Sequence, residues 1–219
     1  EKLTPANASG LLDGQDVVLD CADSYAVSYM LSDLCFAQNS PLISASVLGL
    51  GGYVGGFCGG APSLRAVFPD APDSGASCET AGVLGPVVGM LGVAQSQMAL
   101  NVLLGLSPSP LGQLVQIDGR QMVTTGFRFD HAPEPATAFS FMAAAQLSLD
   151  DLIVDLRSQA EAPTPLHPSA QRLNPNDIAP QEGRRPARCC ATGLRAWRAA
   201  EELHPIWPGE IVLVAASAS

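Results

Sequence analysis

The chain has 219 residues, of which 47% are hydrophobic and 15% charged, and its formal net charge is −10. That apolar share excludes disorder over the whole length, and the length is enough for one medium domain or two small ones. An acidic surface repels phosphate backbones and the chain shows no basic stripe, so nucleic acid is not an expected partner.

Residues 16–20 (DVVLD) are a short apolar run ending in acids, which predicts a buried parallel strand whose carboxyl end meets a site. Ser24 suits the N-cap of a helix over residues 25–38, where Ala26, Tyr29, Met30, Asp33 and Phe36 fall near helical spacing; Asn39-Ser40-Pro41 breaks it. Strands are expected over 42–48 and 51–58, the second interrupted by glycines that allow bends or close backbone approach. The first 58 residues thus read strand–helix–strand–strand, the grammar of an α/β sheet. Residues 69–77 (PDAPDSGAS) are a loop by every turn signal. A long helix is predicted over 85–104, stopping at Gly105 ahead of Pro108 and Pro110. Residues 114–118 and 122–129 flank Asp118-Gly119-Arg120 as a hairpin.

Composition then shifts at 131–137 (HAPEPAT), which marks a linker. Beyond it the pattern predicts a helix over 139–149, a strand over 152–155 and a Pro-, Asn- and Arg-rich loop over 162–188. A strand over 187–190, a helix over 194–203 and a strand over 211–215 complete the chain. Residues 1–145 carry 12 acids and 4 bases, a net −8, whereas 146–219 carry 9 acids and 7 bases, a net −2. The imbalance and the linker together predict two units.

Residues 80–117 contain no charge, and the apolar part, 82–106, is long enough to span a bilayer. Gln95, Ser96, Gln97 and Asn101 interrupt it, and neither flank has the Lys/Arg cluster that orients a span. The expectation is therefore a helix buried on nearly all sides of a globular domain, with no membrane partner. The six cysteines (Cys21, Cys35, Cys58, Cys78, Cys189 and Cys190) show no framework spacing and read as reduced thiols. Glu1 opens the chain without a basic n-region or an apolar h-region, so no signal peptide is expected and the location is read as cytoplasmic.

Two short stretches carry chemistry in this first part. Asp20-Cys21-Ala22-Asp23-Ser24 closes the first strand, and a carboxylate there, Asp23, is well placed to hold magnesium on a nucleotide's phosphates. The plainer role for Asp23 is to charge a helix N-terminus. Residues 77–89 place Cys78 on a loop just ahead of a helix, where a dipole can lower a thiol pKa and make a better nucleophile. The plainer reading of Cys78 is an inert small residue.

These stretches also carry a resemblance. Residues 17–24 (VVLDCADS), 41–52 (PLISASVLGLGG) and 78–89 (CETAGVLGPVVG) resemble, in order and separation, segments of the ThiF/MoeB/HesA adenylyltransferases. Phe68-Pro69, Leu103-Leu104-Gly105 and residues 112–118 (GQLVQID) fall into line as well, so the match runs over about residues 1–130. The resemblance implies adenylation of the C-terminal glycine of a ubiquitin-like sulfur carrier, with ATP and Mg2+, by a homodimer. It assigns Asp23 to the ATP and magnesium site and Cys78 to the crossover-loop cysteine that some members load covalently.

The chain also departs from that pattern. The family's glycine-rich turn and its following arginine and lysine would lie upstream of residue 1, so little ATP affinity is expected of these residues alone. Ser24 and Ser28 stand where the family usually has Asn and Arg. The first zinc-binding Cys-x-x-Cys would fall on Ser63-Leu64-Arg65-Ala66, and no cysteine occurs between Cys78 and Cys189. A closed zinc site takes four ligands, so zinc is predicted absent.

In the tail, Cys190-Ala191-Thr192-Gly193-Leu194-Arg195 resembles the rhodanese active loop, a Cys-x-x-Gly-x-Arg turn leading into a helix. Backbone N–H groups of such a turn stabilise a thiolate or persulfide. Residues 153–157 (IVDLR) and 167–170 (HPSA) resemble the rhodanese opening strand and a later His-x-x-x-Ala segment, the second one residue shorter here, while Ala191 replaces a common arginine and the tail is short. Cys190 and Arg195 are its candidate catalytic residues, and Cys189 reads as a packed strand residue. Cys190, placed ahead of a helix, is expected to be the most reactive of the six thiols, with Cys21, Cys35 and Cys58 shielded on apolar elements. His131 and His204 are read as surface residues, and Trp197 and Trp207 as core or interface.

The expected fold class is α/β: a Rossmann-like, ubiquitin-activating-type mixed sheet whose N-terminal nucleotide-binding half is missing, plus a small α/β rhodanese-like unit. The expected domains are 1–134, a linker over 135–145, and 146–219. The expected function is adenylation of a sulfur carrier and sulfur transfer in thiamine- or molybdopterin-type biosynthesis. The competing expectation is a degenerate scaffold that binds a ubiquitin-like protein or dimerises without activating it.

Overall fold

The computed structural model describes residues 1–71, 78–173, 181, 183–207 and 209–218. Residues 72–77 of the expected 69–77 loop, and 174–180 and 182 of the expected 162–188 loop, lie outside the described residues. The chain forms two compact units, one of residues 10–136 and one of residues 1–9 with 137–219. A short helix, α1 (Ala8–Leu12), precedes the first strand.

Unit 10–136 is built on a five-stranded sheet of β1 (Val18–Asp20), β2 (Pro41–Leu48), β3 (Gly51–Cys58), β4 (Gln113–Asp118) and β5 (Val123–Arg128), in that spatial order. β1 pairs parallel with β2, from Val18 against Leu42 to Asp20 against Ser44, and the remaining pairs are antiparallel. The parallel pair needs a crossover, and α2 (Tyr25–Gln38) supplies it. Asn39 closes α2 in the left-handed region at φ 53°, its N–H bonded to the Phe36 carbonyl.

α5 (Gly85–Leu103) packs on β2 and β3, and Ile43, Val54, Val87, Leu91, Met98 and Ala99 form the core between them. Gly52 makes that approach possible, since a Cβ there would lie 2.5 Å from the Leu91 side chain. The helix was expected to be buried on nearly all sides, and it is not. One face meets the sheet while Val93 is 72% exposed and Leu100 and Leu103 are also exposed. The uniform apolarity of α5 hides which side faces the core, so its sequence overstates its burial.

Residues 63–66, where the family resemblance places a first cysteine pair, hold a different arrangement. Ser63 caps α3 (Leu64–Val67), and its N–H and hydroxyl donate to the two Glu134 oxygens at 2.7 and 2.5 Å. Arg65 is buried, donates to both Asp33 oxygens at 2.6 and 2.8 Å, and lies 4.7 Å over the Tyr29 ring.

The other unit carries a four-stranded, all-parallel sheet in the order β6 (Ser140–Phe141), β9 (Val212–Ala215), β8 (Pro186–Cys190) and β7 (Leu152–Asp155). Leu147, Ile153, Ala187, Cys189, Val212 and Val214 form one core cluster. Side chains alternate along a strand, so Arg188 and Cys190 belong to the other face of β8, and α6 (Leu194–Leu203) packs on β8 and β9. The helix expected over 139–149 is instead β6 and a 3-10 turn at Ala144–Gln146, within the stretch read as a linker. Phe139 and Phe141 are both buried against Trp197, a period of two that outweighs the helical spacing.

Candidate functional site

The carboxyl end of β1 gathers the first group of expected residues. Asp20 is buried: its Oδ1 accepts the Ala22 N–H at 3.1 Å and its Oδ2 the Ser44 hydroxyl at 2.8 Å. Burial pushes its pKa up despite these bonds. Asp23 follows on the exposed turn before Ser24, the N-cap of α2. Its Oδ2 accepts the Cys78 backbone N–H at 3.0 Å, so two residues that are 55 positions apart meet here.

Cys78 begins a single helical turn, α4 (Cys78–Ala81), stitched to the β2–β3 turn. Gly49 N–H donates to the Gly82 carbonyl at 3.1 Å, and Gly82 takes φ 74°. The helix dipole was expected to lower the Cys78 pKa, and the structure overturns that. Partial desolvation raises it first, and the facing Asp23 carboxylate raises it further by disfavouring a second negative charge. One helical turn offers too little dipole to compensate.

The second group sits at the carboxyl edge of the parallel sheet, where ligands of open α/β sheets bind. Cys190 ends β8 and accepts the Gly193 N–H on its Sγ at 3.0 Å; Gly193 turns the chain at φ 95° into α6. The Ala191 carbonyl accepts the Ser217 N–H at 2.9 Å. Asp155, at the end of β7, accepts from Arg157 Nη2 at 2.7 Å and from the Leu166 N–H at 3.0 Å. Arg195 donates from Nη1 to the Leu156 carbonyl at 3.0 Å and from Nη2 to Glu161. Glu161, first, and the Cys190 thiol after it raise the Arg195 pKa, which places Arg195 within electrostatic reach of Cys190.

The thiols do not sort as the sequence predicts. Cys35, Cys58 and Cys189 are buried, and burial raises each of them to about 12. Cys190 is also buried, only 1% exposed, whereas Cys21, expected to be shielded on an apolar element, is exposed. Cys21 is the first residue past the end of β1, which lifts it out of the sheet. Sequence reasoning also passed over Gln95, Ser44 and Glu161. Gln95 had a signal: it lies four residues after Leu91 and four before Ala99, on the buried face of α5.

Among the described residues no three His, Cys, Asp or Glu side chains gather as a metal-ligating group. Asp23 is a single hard oxygen donor with lone pairs left beyond the Cys78 N–H, which suits magnesium keeping waters and phosphate oxygens as its other ligands.

The mixed sheet, with α2 as its parallel crossover and α5 packed on β2 and β3, is an α/β fold of the ubiquitin-activating type. The ThiF family matches residues 1–137, and the chain belongs to that family. The chain is 37% identical over 129 residues to an adenylyltransferase and sulfurtransferase MOCS3 of Drosophila sechellia, covering 58% of this chain and 28% of that protein. It is 41% identical over 121 residues to the MOCS3 of Bos taurus, covering 54% and 27%. To the adenylyltransferase and sulfurtransferase uba4 of Pyricularia oryzae it is 40% identical over 129 residues, covering 52% and 26%. The chain thus spans 26–28% of the length of these relatives. Among solved structures it is similar to Escherichia coli MccB in complex with MccA-N7isoASN, at TM-score 0.47 and 13% identity over 59% of this chain and 43% of that one.

Proposed function

We propose that this chain acts in the adenylation of the C-terminus of a ubiquitin-like sulfur-carrier protein and in sulfur transfer to it, in thiamine- or molybdopterin-type cofactor biosynthesis. The observation that carries the reading is the contact of the Asp23 carboxylate with the Cys78 backbone N–H at 3.0 Å. It brings a magnesium-suited carboxylate on the exposed turn before α2 against the half-buried residue Cys78 at the start of α4, in a chain of the ThiF family with adenylyltransferase and sulfurtransferase relatives. Asp23 would face the magnesium of bound ATP, and Cys78 would take the activated carrier. The working protein is a cytoplasmic homodimer.

The tail supplies the sulfur in this reading, as a compact rhodanese-like unit with Cys190 and Arg195 at its active turn. The Cys190 thiolate attacks the outer sulfur of thiosulfate, the S–S bond breaks, and sulfite leaves with the electron pair. Cyanide then attacks the outer sulfur of the persulfide, thiocyanate leaves, and the thiolate returns. The Gly193 N–H, already 3.0 Å from Sγ, stabilises both anions.

Two incubations test the two halves. Thiosulfate should add one sulfur to Cys190, which cyanide releases as thiocyanate, and Cys190→Ser should abolish it. A carrier supplied as its C-terminal acyl-adenylate should lose AMP and become attached at Cys78, and Cys78→Ser should prevent that. No adduct at either cysteine, together with tight binding of the carrier, would establish the second reading, a scaffold. One observation favours that second reading: Ser28 stands where the family usually has a cation, and its hydroxyl is bonded to the Ser24 carbonyl at 3.3 Å.

A further inference from the structure

Gln95 lies in the middle of α5 on the face it shares with Val87, Leu91, Met98 and Ala99, and it is 4% exposed. A carboxamide so placed has to satisfy its donors and acceptor within the protein. Its Nε2 donates to the Asp20 carbonyl at 2.7 Å and to the Ile43 carbonyl at 2.9 Å, and its Oε1 accepts from the Cys21 thiol at 3.3 Å. All three contacts fall at the end of β1 and on the neighbouring residue of β2, where β1's pairing with β2 stops at Asp20 and Ser44.

The same turn is held a second time. The Asp20 carboxylate accepts the Ala22 N–H and the Ser44 hydroxyl, so backbone and side chain of residue 20 are both fixed. Three residues on, Asp23 reaches Cys78. The bonds therefore run without a break from α5 through the β1 terminus to the two candidate site residues.

We infer that Gln95 is a positioning residue for the Asp23–Cys78 site: its carboxamide sets the height and direction of the turn after β1, so that Asp23 faces Cys78. The inference rests on the reading of Asp23 and Cys78 as site residues. A residue that only filled space would be replaced without loss by leucine, of similar volume. Glutamate would keep the shape and lose the two N–H donors.

The test is hydrogen exchange of the Cys78 amide in the 15N-labelled chain. In the wild type that amide should exchange slowly, and Asp23→Ala should speed it at least tenfold by removing its acceptor. Gln95→Leu and Gln95→Glu should speed it likewise while the Val54 and Phe57 amides keep their protection. A folded Gln95→Leu whose Cys78 amide exchanges as in the wild type overturns the positioning role and leaves the site reading standing. A Cys78 amide indifferent to Asp23→Ala overturns both, without touching the thiosulfate assay at Cys190. If neither variant folds, the wild type decides through the Gln95 side-chain NH2 protons. Slow exchange supports the clamp, and exchange at the rate of a free carboxamide overturns it.

Discussion

Arg195 meets Glu161 before it meets Cys190. Its guanidinium donates to that carboxylate and to the Leu156 carbonyl, which divides the charge expected to serve the thiol. Glu161→Gln should therefore raise the rate of sulfur loading on Cys190 from thiosulfate, and Arg195→Ala should lower it. Stopped-time mass spectrometry of the persulfide reads both. Equal rates in wild type and Glu161→Gln would show that the carboxylate does not hold the arginine back.

Thiol reactivity should follow exposure rather than the order expected from sequence. With a limiting alkylating reagent at neutral pH, Cys21 should react ahead of Cys190, since the first is exposed and the second is 1% exposed. Asp23→Asn should speed alkylation of Cys78. Removing the carboxylate leaves only desolvation to hold the thiol up, so more thiolate is present at a given pH. Peptide mapping checks both, and labelling of Cys190 first would mean that its loop opens readily.

The two units should answer acid in opposite directions. Asp20 and Asp33 are raised above the ordinary carboxylate value by burial, in Asp33 against the pull of Arg65. The folded state then holds protons that the unfolded chain has released, so stability from this pair falls as pH rises from the ordinary value through the raised ones. Asp151 and Asp155 are also pushed up by burial. Their bonds to Arg185 and Arg157, with backbone N–H groups, outweigh it and hold both below the ordinary value. Their contribution is present above the ordinary value and is lost as pH falls through the lowered ones. Both tryptophans, Trp197 and Trp207, belong to the unit with residues 137–219, and all three tyrosines to the unit of 10–136. Urea titrations followed by tryptophan and by tyrosine signals, repeated between pH 3 and 6, separate the two responses. Parallel trends would refute the assignment.

Arg188 gives a stability prediction. It is 1% exposed, its Nε and Nη1 have no partner among the described residues, and burial lowers its pKa to about 10. A cation held so costs stability at every pH below that value, and the cost is relieved only above it. Arg188→Met should stabilise its unit by about 1–3 kcal/mol. A fall in the tryptophan-detected unfolding midpoint would show that the guanidinium has a role in the fold.

Much of this was legible from residue order. Strands over 42–48 and 51–58 and the helix over 25–38 agree with β2, β3 and α2 to within a residue, because breakers such as Asn39 and Gly105 act locally, although Ser24 makes no side-chain capping bond. The pairing of Asp23 with Cys78 was not legible, since it joins the ends of two elements 55 residues apart. Charge also misled at Cys78: a helix start was visible, and the carboxylate that would face it was not. Gln95 read as an interruption of an apolar run because its three partners belong to other elements. Residues 139–149 failed for a different reason. Two phenylalanines at strand spacing were outvoted by the alanines around them, and only Trp197 across the sheet decides between the two periods.

β5 has a consequence for how the protein behaves as a colloid. It is the outer strand of its sheet among the described residues, and every one of its six residues is exposed. Such a strand is a template for pairing with a neighbouring molecule, and Arg128 is its one charged side chain. What keeps edges apart is then the long-range repulsion of a chain with a net charge of −10. Added salt shortens the reach of that repulsion to about 3 Å at molar strength, against about 10 Å at a tenth of that. Concentrated stocks should therefore keep longest at low ionic strength, well above the pH where the carboxylates titrate.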